Sequence, residues 1–159
     1  MRTGIGVDAH RFAEDRPLLL GGVEVPFPMG LAGHSDADVV LHALMDALLG
    51  AAGAGDIGEM FPDTEAAYRD ISSLELLGRV MDVVRGRGLE VANADISVMC
   101  EEPRIAAYRA AMVSRIASGL GTAQDAVSVK GTTTEGMGFT GRGEGIMALA
   151  TVLLSESGD

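Results

Sequence analysis

Apolar and polar positions alternate from Arg2 to His10, the pattern of a half-buried strand, so Asp8 and His10, two apart, point to one face. Leu18-Leu19-Leu20 and Val23-Glu24-Val25 flank Gly21-Gly22, which predicts a hairpin closed by a two-residue turn. Pro26, Pro28, Gly30 and Gly33 then make a loop. Ser35 followed by Asp38 has the form of a capping box, and the periodic run through Val39, Leu41 and Leu44 predicts a helix to about Gly50. Residues 53–70 form a long polar loop, and a second helix covers about 71–86. A strand follows at about 89–100. Pro103 opens a third helix, about 104–119, and a short strand at 127–130 leads into the glycine-rich loop 131–143. The chain closes with an apolar strand over 145–155.

The order βββαα–β–α–ββ predicts one α+β domain over residues 1–159: a mixed four-stranded sheet with helices on one face, plus a small N-terminal hairpin. Ile146 to Leu154 is apolar on both faces of its strand. Such a strand either lies fully buried at the centre of the sheet or is covered by a second subunit, and we expect a homo-oligomer.

Charge narrows the partners. Twelve Lys and Arg against 23 Asp and Glu give a net charge of −11, which excludes a nucleic-acid or anionic-membrane surface. A polyanionic ligand would need metal ions and local cations to overcome that field. The absence of Trp and an aromatic content of 4% also remove base-stacking platforms. Cys100 is the single cysteine, so no intrachain disulfide forms, and a small apolar residue ending a strand is its expected role. Met1-Arg2-Thr3-Gly4 leads straight into a strand without a signal-like apolar region, and Ile146–Leu154 is too short to span a bilayer; the expected location is cytoplasmic.

All three histidines fall in two segments, Gly6-Val7-Asp8-Ala9-His10 and His34 through His42. Asp8, His10 and His42 make a nitrogen/oxygen triad suited to zinc, with a fourth position left for substrate. Asp38, His42 and Asp46 share a helical face, so either carboxylate is a candidate acceptor for the free N–H of a ligating His42. His34, beside the helix start, suits contact with an anion. Thr132-Thr133-Thr134 offers three hydroxyl donors to phosphate, and Glu135 a hard oxygen for Mg²⁺ or Mn²⁺. Arg142, alone among glycines, is a further phosphate candidate. Asp56 and Asp63, in a loop that reads as a lid, suit sugar-like hydroxyls. By themselves these residues leave open a zinc-dependent phosphohydrolase or a non-catalytic binding protein.

Five ordered motifs narrow the choice. Gly4-Ile5-Gly6-Val7-Asp8-Ala9-His10, His34-Ser35-Asp36-Ala37-Asp38 through His42-Ala43, Asp56-Ile57-Gly58 with Phe61-Pro62-Asp63, Pro103-Arg104, and Thr132-Thr133-Thr134-Glu135 through Gly145-Ile146 together resemble the 2-C-methyl-D-erythritol 2,4-cyclodiphosphate synthase family nearly end to end. The resemblance implies a chorismate-mutase-like homotrimer with sheets packed around the threefold axis and active sites between subunits. It implies a cytidine-diphosphate substrate, cyclised with release of CMP by a phosphorus–oxygen lyase of the non-mevalonate isoprenoid pathway. Carried over by position, Asp8, His10 and His42 would hold one zinc per subunit and Glu135 a second divalent ion, Mg²⁺ or Mn²⁺. His34 and Thr133 would be catalytic, orienting the phosphates. Ser35, Asp56, Ile57, Gly58, Phe61 and Asp63 would bind the sugar portions, with Thr132 and Thr134 beside the phosphates. Cys100, Pro103, Arg104, Ile105 and Ala106 would line the cytidine pocket, largely by backbone. The acidic pair Glu101-Glu102 departs from what a nucleotide pocket leads one to expect. Phe139 and Arg142 would form an apolar-plus-cationic site for an isoprenoid diphosphate at the trimer axis.

Overall fold

In a computed structural model of the chain, which describes residues 1–158, the apolar C-terminal strand lies at the centre of a mixed sheet. Among the described residues the strands are β1 (Arg2–Ala13), β2 (Leu18–Leu20), β3 (Val23–Val25), β4 (Gly30–Leu31), β5 (Leu89–Met99), β6 (Val127–Thr132) and β7 (Gly145–Glu156). The helices are α1 (Val39–Ala52), α2 (Ile57–Met60), α3 (Ser73–Gly86), α4 (Arg109–Leu120) and α5 (Gly138–Gly141). The main sheet runs β4-β1-β7-β5-β6, so it has five strands and not the expected four. The added edge is β4, two residues between prolines and glycines that sequence periodicity could not separate from a loop. Only β5 and β6 are parallel, joined by the crossover that contains α4.

The predicted Gly-Gly hairpin is present, with β2 and β3 paired and both glycines at positive φ (60° and 75°), as a two-residue turn of this hand requires. Asp38 fastens that hairpin to the first long helix. Its carboxylate accepts from the amides of Gly21 and Gly22 at 2.9 and 2.7 Å, and from Val40 and Leu41 at 3.2 and 3.1 Å. Asp38 is therefore the N-cap, and α1 starts at Val39; no Ser35–Asp38 capping box forms. The helix also continues through Gly50 to Ala52 before Gly53 closes it in the left-handed conformation.

Helix α1 crosses β1 at very short range. A Cβ on Gly4 would fall 2.0 Å from the Ala47 carbonyl oxygen, and one on Gly6 2.0 Å from that of Ala43. Gly4, Gly6, Asp8 and His10 share the covered face of β1, so the glycines that admit the helix also bring His42 over Asp8 and His10. On β7 the inward side (Ile146, Ala148, Ala150, Val152, Leu154) is buried in the same core. The opposite face is open: Ile5 is 64% exposed, Val7 46%, with Met147, Leu149 and Leu153 only half-buried beside them. The central position of β7 thus explains one of its two apolar sides only.

The expected unstructured stretch at 53–70 contains α2 and a 3-10 turn at Ala66–Tyr68. The third helix begins at Arg109, after a separate 3-10 turn at Ile105–Ala107, and not at Arg104. The loop after β6 carries the short α5.

Candidate metal centre and substrate cleft

Asp8 Oδ2 lies 2.8 Å from His10 Nε2 and 3.2 Å from His42 Nδ1, and the two ring nitrogens are 3.1 Å apart. His10 Nδ1 meets the Ala32 carbonyl at 2.7 Å. A carbonyl only accepts, so that nitrogen carries a proton, and Nε2 is the nitrogen left to bind a cation or, in the metal-free protein, to share a proton with Asp8. His42 turns Nδ1 to the same point, while its Nε2 faces away, between the hydroxyls of Ser35 (3.1 Å) and Ser73 (3.0 Å). Tetrahedral zinc with bonds of about 2.0–2.1 Å sets neighbouring donors roughly 3.3 Å apart. The spacing of these three atoms, one oxygen and two imidazole nitrogens, fits that geometry closely.

The electrostatics agree with a site that competes protons for a cation. Burial pushes the Asp8 carboxyl up, but the hydrogen bonds and charges of His10 and His42 outweigh it and hold the group well below the usual carboxylate range. Burial likewise opposes charge on His10, yet the Asp8 carboxylate wins and raises that imidazole. Asp38 and Asp46 are not the outer partners of His42, contrary to the reading from helical spacing. Asp38 is spent on capping, and Asp46 accepts the Ile57 amide at 2.9 Å, which ties the start of α2 to α1. The hydroxyls of Ser35 and Ser73 take the outer position instead.

His42 also borders a cleft of about 380 Å³, with His34, Ser35, Ile57, Gly58, Phe61 and Asp63 on its walls. His34 is half-buried there, Nε2 3.3 Å from the Glu65 carbonyl. Asp56 stands outside these walls, because its Oδ1 caps α2 through the Glu59 amide at 2.8 Å. Phe61 stacks edge-on against Tyr68 and so fixes the outer wall.

A second cavity, about 210 Å³, gathers Cys100, Pro103, Arg104, Ile105 and Ala106 with Thr132 and Thr133. The parallel pairing of Met99 with Thr132 brings the two loops together. Cys100 is inert: burial first, and then the charges of Glu101 and Glu102, push its thiol up to about 11. Beyond it, Thr133 Oγ1 donates to the exposed carboxylate of Glu135 at 3.0 Å, and Glu135 adopts a left-handed φ of 54°. Ala9, Met147, Met99 and Thr132 are in register across four strands. The triad and the threonine loop therefore share one rim of the sheet, three strand spacings or roughly 14 Å apart.

The chain matches the YgbB family over residues 1–155. It belongs to that family. The 2-C-methyl-D-erythritol 2,4-cyclodiphosphate synthase of Pelotomaculum thermopropionicum is 53% identical over 158 residues, 99% of this chain and 98% of the relative. That of Moorella thermoacetica is 56% identical over 154 residues, 97% of this chain and 94% of the relative. Among solved structures, the bifunctional IspDF from Campylobacter jejuni aligns with a TM-score of 0.94 at 48% identity, over 98% of this chain and 42% of that one. A CDP-bound 2C-methyl-D-erythritol-2,4-cyclodiphosphate synthase aligns at 0.89 and 38% identity, over 97% of this chain and 100% of that one. The resemblance carried by the five motifs thus extends over the whole chain.

The acidic residue in the second cavity has a structural use. Glu101 Oε1 accepts from the amides of Thr134 at 3.1 Å and Gly136 at 3.4 Å, bracing the threonine loop from the neighbouring one. Arg16 was missed in the sequence. Its guanidinium donates to the carbonyls of Gly33 at 2.6 Å and Ser35 at 2.5 Å, holding the segment that presents His34. A lone Arg in a turn gives no signal of that. Arg142 is paired with Glu144 at 2.6 Å, while Phe139, 37% exposed, borders a pocket of about 260 Å³ with Arg11 and Glu144.

Proposed function

We propose that this chain converts 4-diphosphocytidyl-2-C-methyl-D-erythritol 2-phosphate into 2-C-methyl-D-erythritol 2,4-cyclodiphosphate and CMP, as a phosphorus–oxygen lyase of the non-mevalonate isoprenoid pathway. One observation carries the reading: His42 both completes the Asp8–His10 donor cluster and forms a wall of the cleft lined by His34 and Ser35. In the reaction an oxygen of the 2-phosphate bonds to the β-phosphorus. The bond from that phosphorus to the bridging oxygen breaks, and CMP leaves with the electron pair. The nucleophile is already an anion, so the site needs no strong general base. Zinc on Asp8, His10 and His42, with Mg²⁺ or Mn²⁺ on Glu135, supplies charge neutralisation on the diphosphate when bound.

The residues of the chain do the positioning. His34 and Thr133 orient the two phosphate groups, with the Thr132 and Thr134 hydroxyls beside them. Ser35, Gly58 and Asp63 take the erythritol and ribose hydroxyls, with Ile57 and Phe61 as apolar walls, and Asp56, whose Oδ1 caps α2, offers its other carboxylate oxygen from outside the cleft. The segment from Cys100 to Ala106 receives the cytidine, with Arg104 at its entrance. Holding both phosphates of one molecule in line contributes up to roughly 7–11 kcal/mol through orientation.

The roughly 14 Å between triad and threonine loop in one chain supports a homotrimer, in which one subunit's metal centre meets its neighbour's cytidine pocket. The open apolar sheet face around Ile5 and Val7 supports the same assembly. At that axis, the half-exposed Phe139 beside Arg11, with Arg142 held to Glu144 of the same pocket, suits an isoprenoid diphosphate. Unchanged binding of such a diphosphate by Arg142→Ala would remove Arg142 from that role.

Metal analysis combined with a CMP-release assay on the purified protein tests the main reading. Wild type is expected to hold about one zinc per chain and release CMP, and His42→Ala to lose both while staying folded. Turnover by metal-free His42→Ala protein would overturn it.

A further inference from the structure

We propose that Ser73, backed by Asp36, is a positioning residue for His42: it takes the Nε2 proton and so keeps Nδ1 bare toward Asp8 and His10. This rests on the reading of Asp8, His10 and His42 as metal ligands.

Ser73 is fully buried at the first position of α3, with Oγ 3.0 Å from His42 Nε2. Its hydroxyl donates to one carboxylate oxygen of Asp36, and its backbone amide donates to the other at 2.8 Å. A serine hydroxyl has a single proton. With that proton committed to Asp36, Oγ can only accept from the imidazole, so the proton of His42 belongs on Nε2. Ser35 imposes no such choice. Its Oγ, 3.1 Å from the same nitrogen, accepts the Ala37 amide and keeps its own proton uncommitted. It can therefore accept from Nε2 or donate to it.

Without Ser73 the second arrangement becomes available: Ser35 donates to a bare Nε2, and the ring proton moves to Nδ1, where it points at the metal position. Ser73 is thus the element that selects the ligating tautomer. The carboxylate behind it strengthens Oγ as an acceptor and makes Nδ1 a better donor. Asp36 is itself anchored, its amide donating to the Ile71 carbonyl at 3.2 Å. The loop before α1 and the start of α3 are joined at the ring that serves the metal centre.

Zinc affinity, measured by chelator competition on the full-length protein, tests this. Ser73→Ala is expected to bind zinc about 10–100-fold more weakly than wild type. Val80→Ala, a core truncation on the same helix, is expected to lower the melting temperature of the metal-free protein and leave zinc affinity unchanged. Ser73→Ala binding zinc like wild type would overturn the role of Ser73 alone. Wild type that binds no zinc would overturn the metal reading itself. Nitrogen-15 spectra of histidine-labelled, metal-free wild type at alkaline pH, where no metal dictates the tautomer, give a second measurement that needs no variant. A proton on His42 Nε2, slow to exchange, supports the proposal, and a proton on Nδ1 overturns it.

Discussion

Gly6 of β1 and Ala43 of α1 approach so closely that the Ala43 carbonyl oxygen lies 2.0 Å from where a Gly6 Cβ would be. His42 is the residue just before Ala43 on the helix, and Asp8 the next on the same face of the strand. This backbone contact therefore sets the 3.2 Å separation of Asp8 Oδ2 and His42 Nδ1.

Gly6→Ala must push α1 off the sheet, because the obstacle is backbone and cannot rotate away. The expected cost is about 1–3 kcal/mol of stability, accompanied by weaker zinc binding. Gly50→Ala, where an added Cβ meets nothing within 4 Å, serves as the control and should stabilise slightly. Thermal melts and chelator competition on both variants check this; equal zinc affinity in Gly6→Ala and wild type would contradict it.

Asp8 and His10 give the metal-free protein a defined pH profile. The Asp8 carboxyl is held down in the folded state, so its contribution is present above the ordinary carboxylate pKa and fades as pH falls through the folded value. The His10 imidazole is raised, so its contribution is complete below the ordinary histidine pKa and fades as pH rises through the folded value. The pair therefore stabilises most between roughly pH 4 and 6.5. Melting temperatures of the metal-free protein should decline on the alkaline side of that window, and Asp8→Asn should flatten the decline. An unchanged profile in Asp8→Asn would contradict the pairing.

The fold and the site were legible in the sequence to different depths. The strand alternation placing Asp8 beside His10, and the Gly21-Gly22 turn, are local signals, and both hold in the structure. Two-residue β4 and four-residue α2 are too short for any period to register. The spacing of Asp38, His42 and Asp46 was real, but it could not tell that Asp38 would be consumed as a cap and by the hairpin glycines. The outer partners of His42 come from segments separated by about a helix and a lid. Ser73 in Ile71-Ser72-Ser73 reads only as a helix start, so nothing local distinguishes it from a cap.

Glu101 links the Cys100–Ala106 segment to the threonine loop through the amides of Thr134 and Gly136. Removing it in Glu101→Ala should loosen Thr133 and Glu135 and weaken CDP binding by about 1–1.4 kcal/mol, roughly five- to tenfold. Glu101→Gln keeps an acceptor oxygen and should stay near wild type. Calorimetric titration with CDP checks both, and wild-type affinity in Glu101→Ala would contradict the brace.

The most direct test of the central claim is phosphorus-31 NMR of the reaction of the zinc- and magnesium-loaded protein with 4-diphosphocytidyl-2-C-methyl-D-erythritol 2-phosphate. Intramolecular attack predicts two coupled resonances of a cyclic diphosphate appearing in step with CMP. Linear phosphate products, formed by attack of water, would contradict the account and make the Asp8–His10–His42 centre hydrolytic.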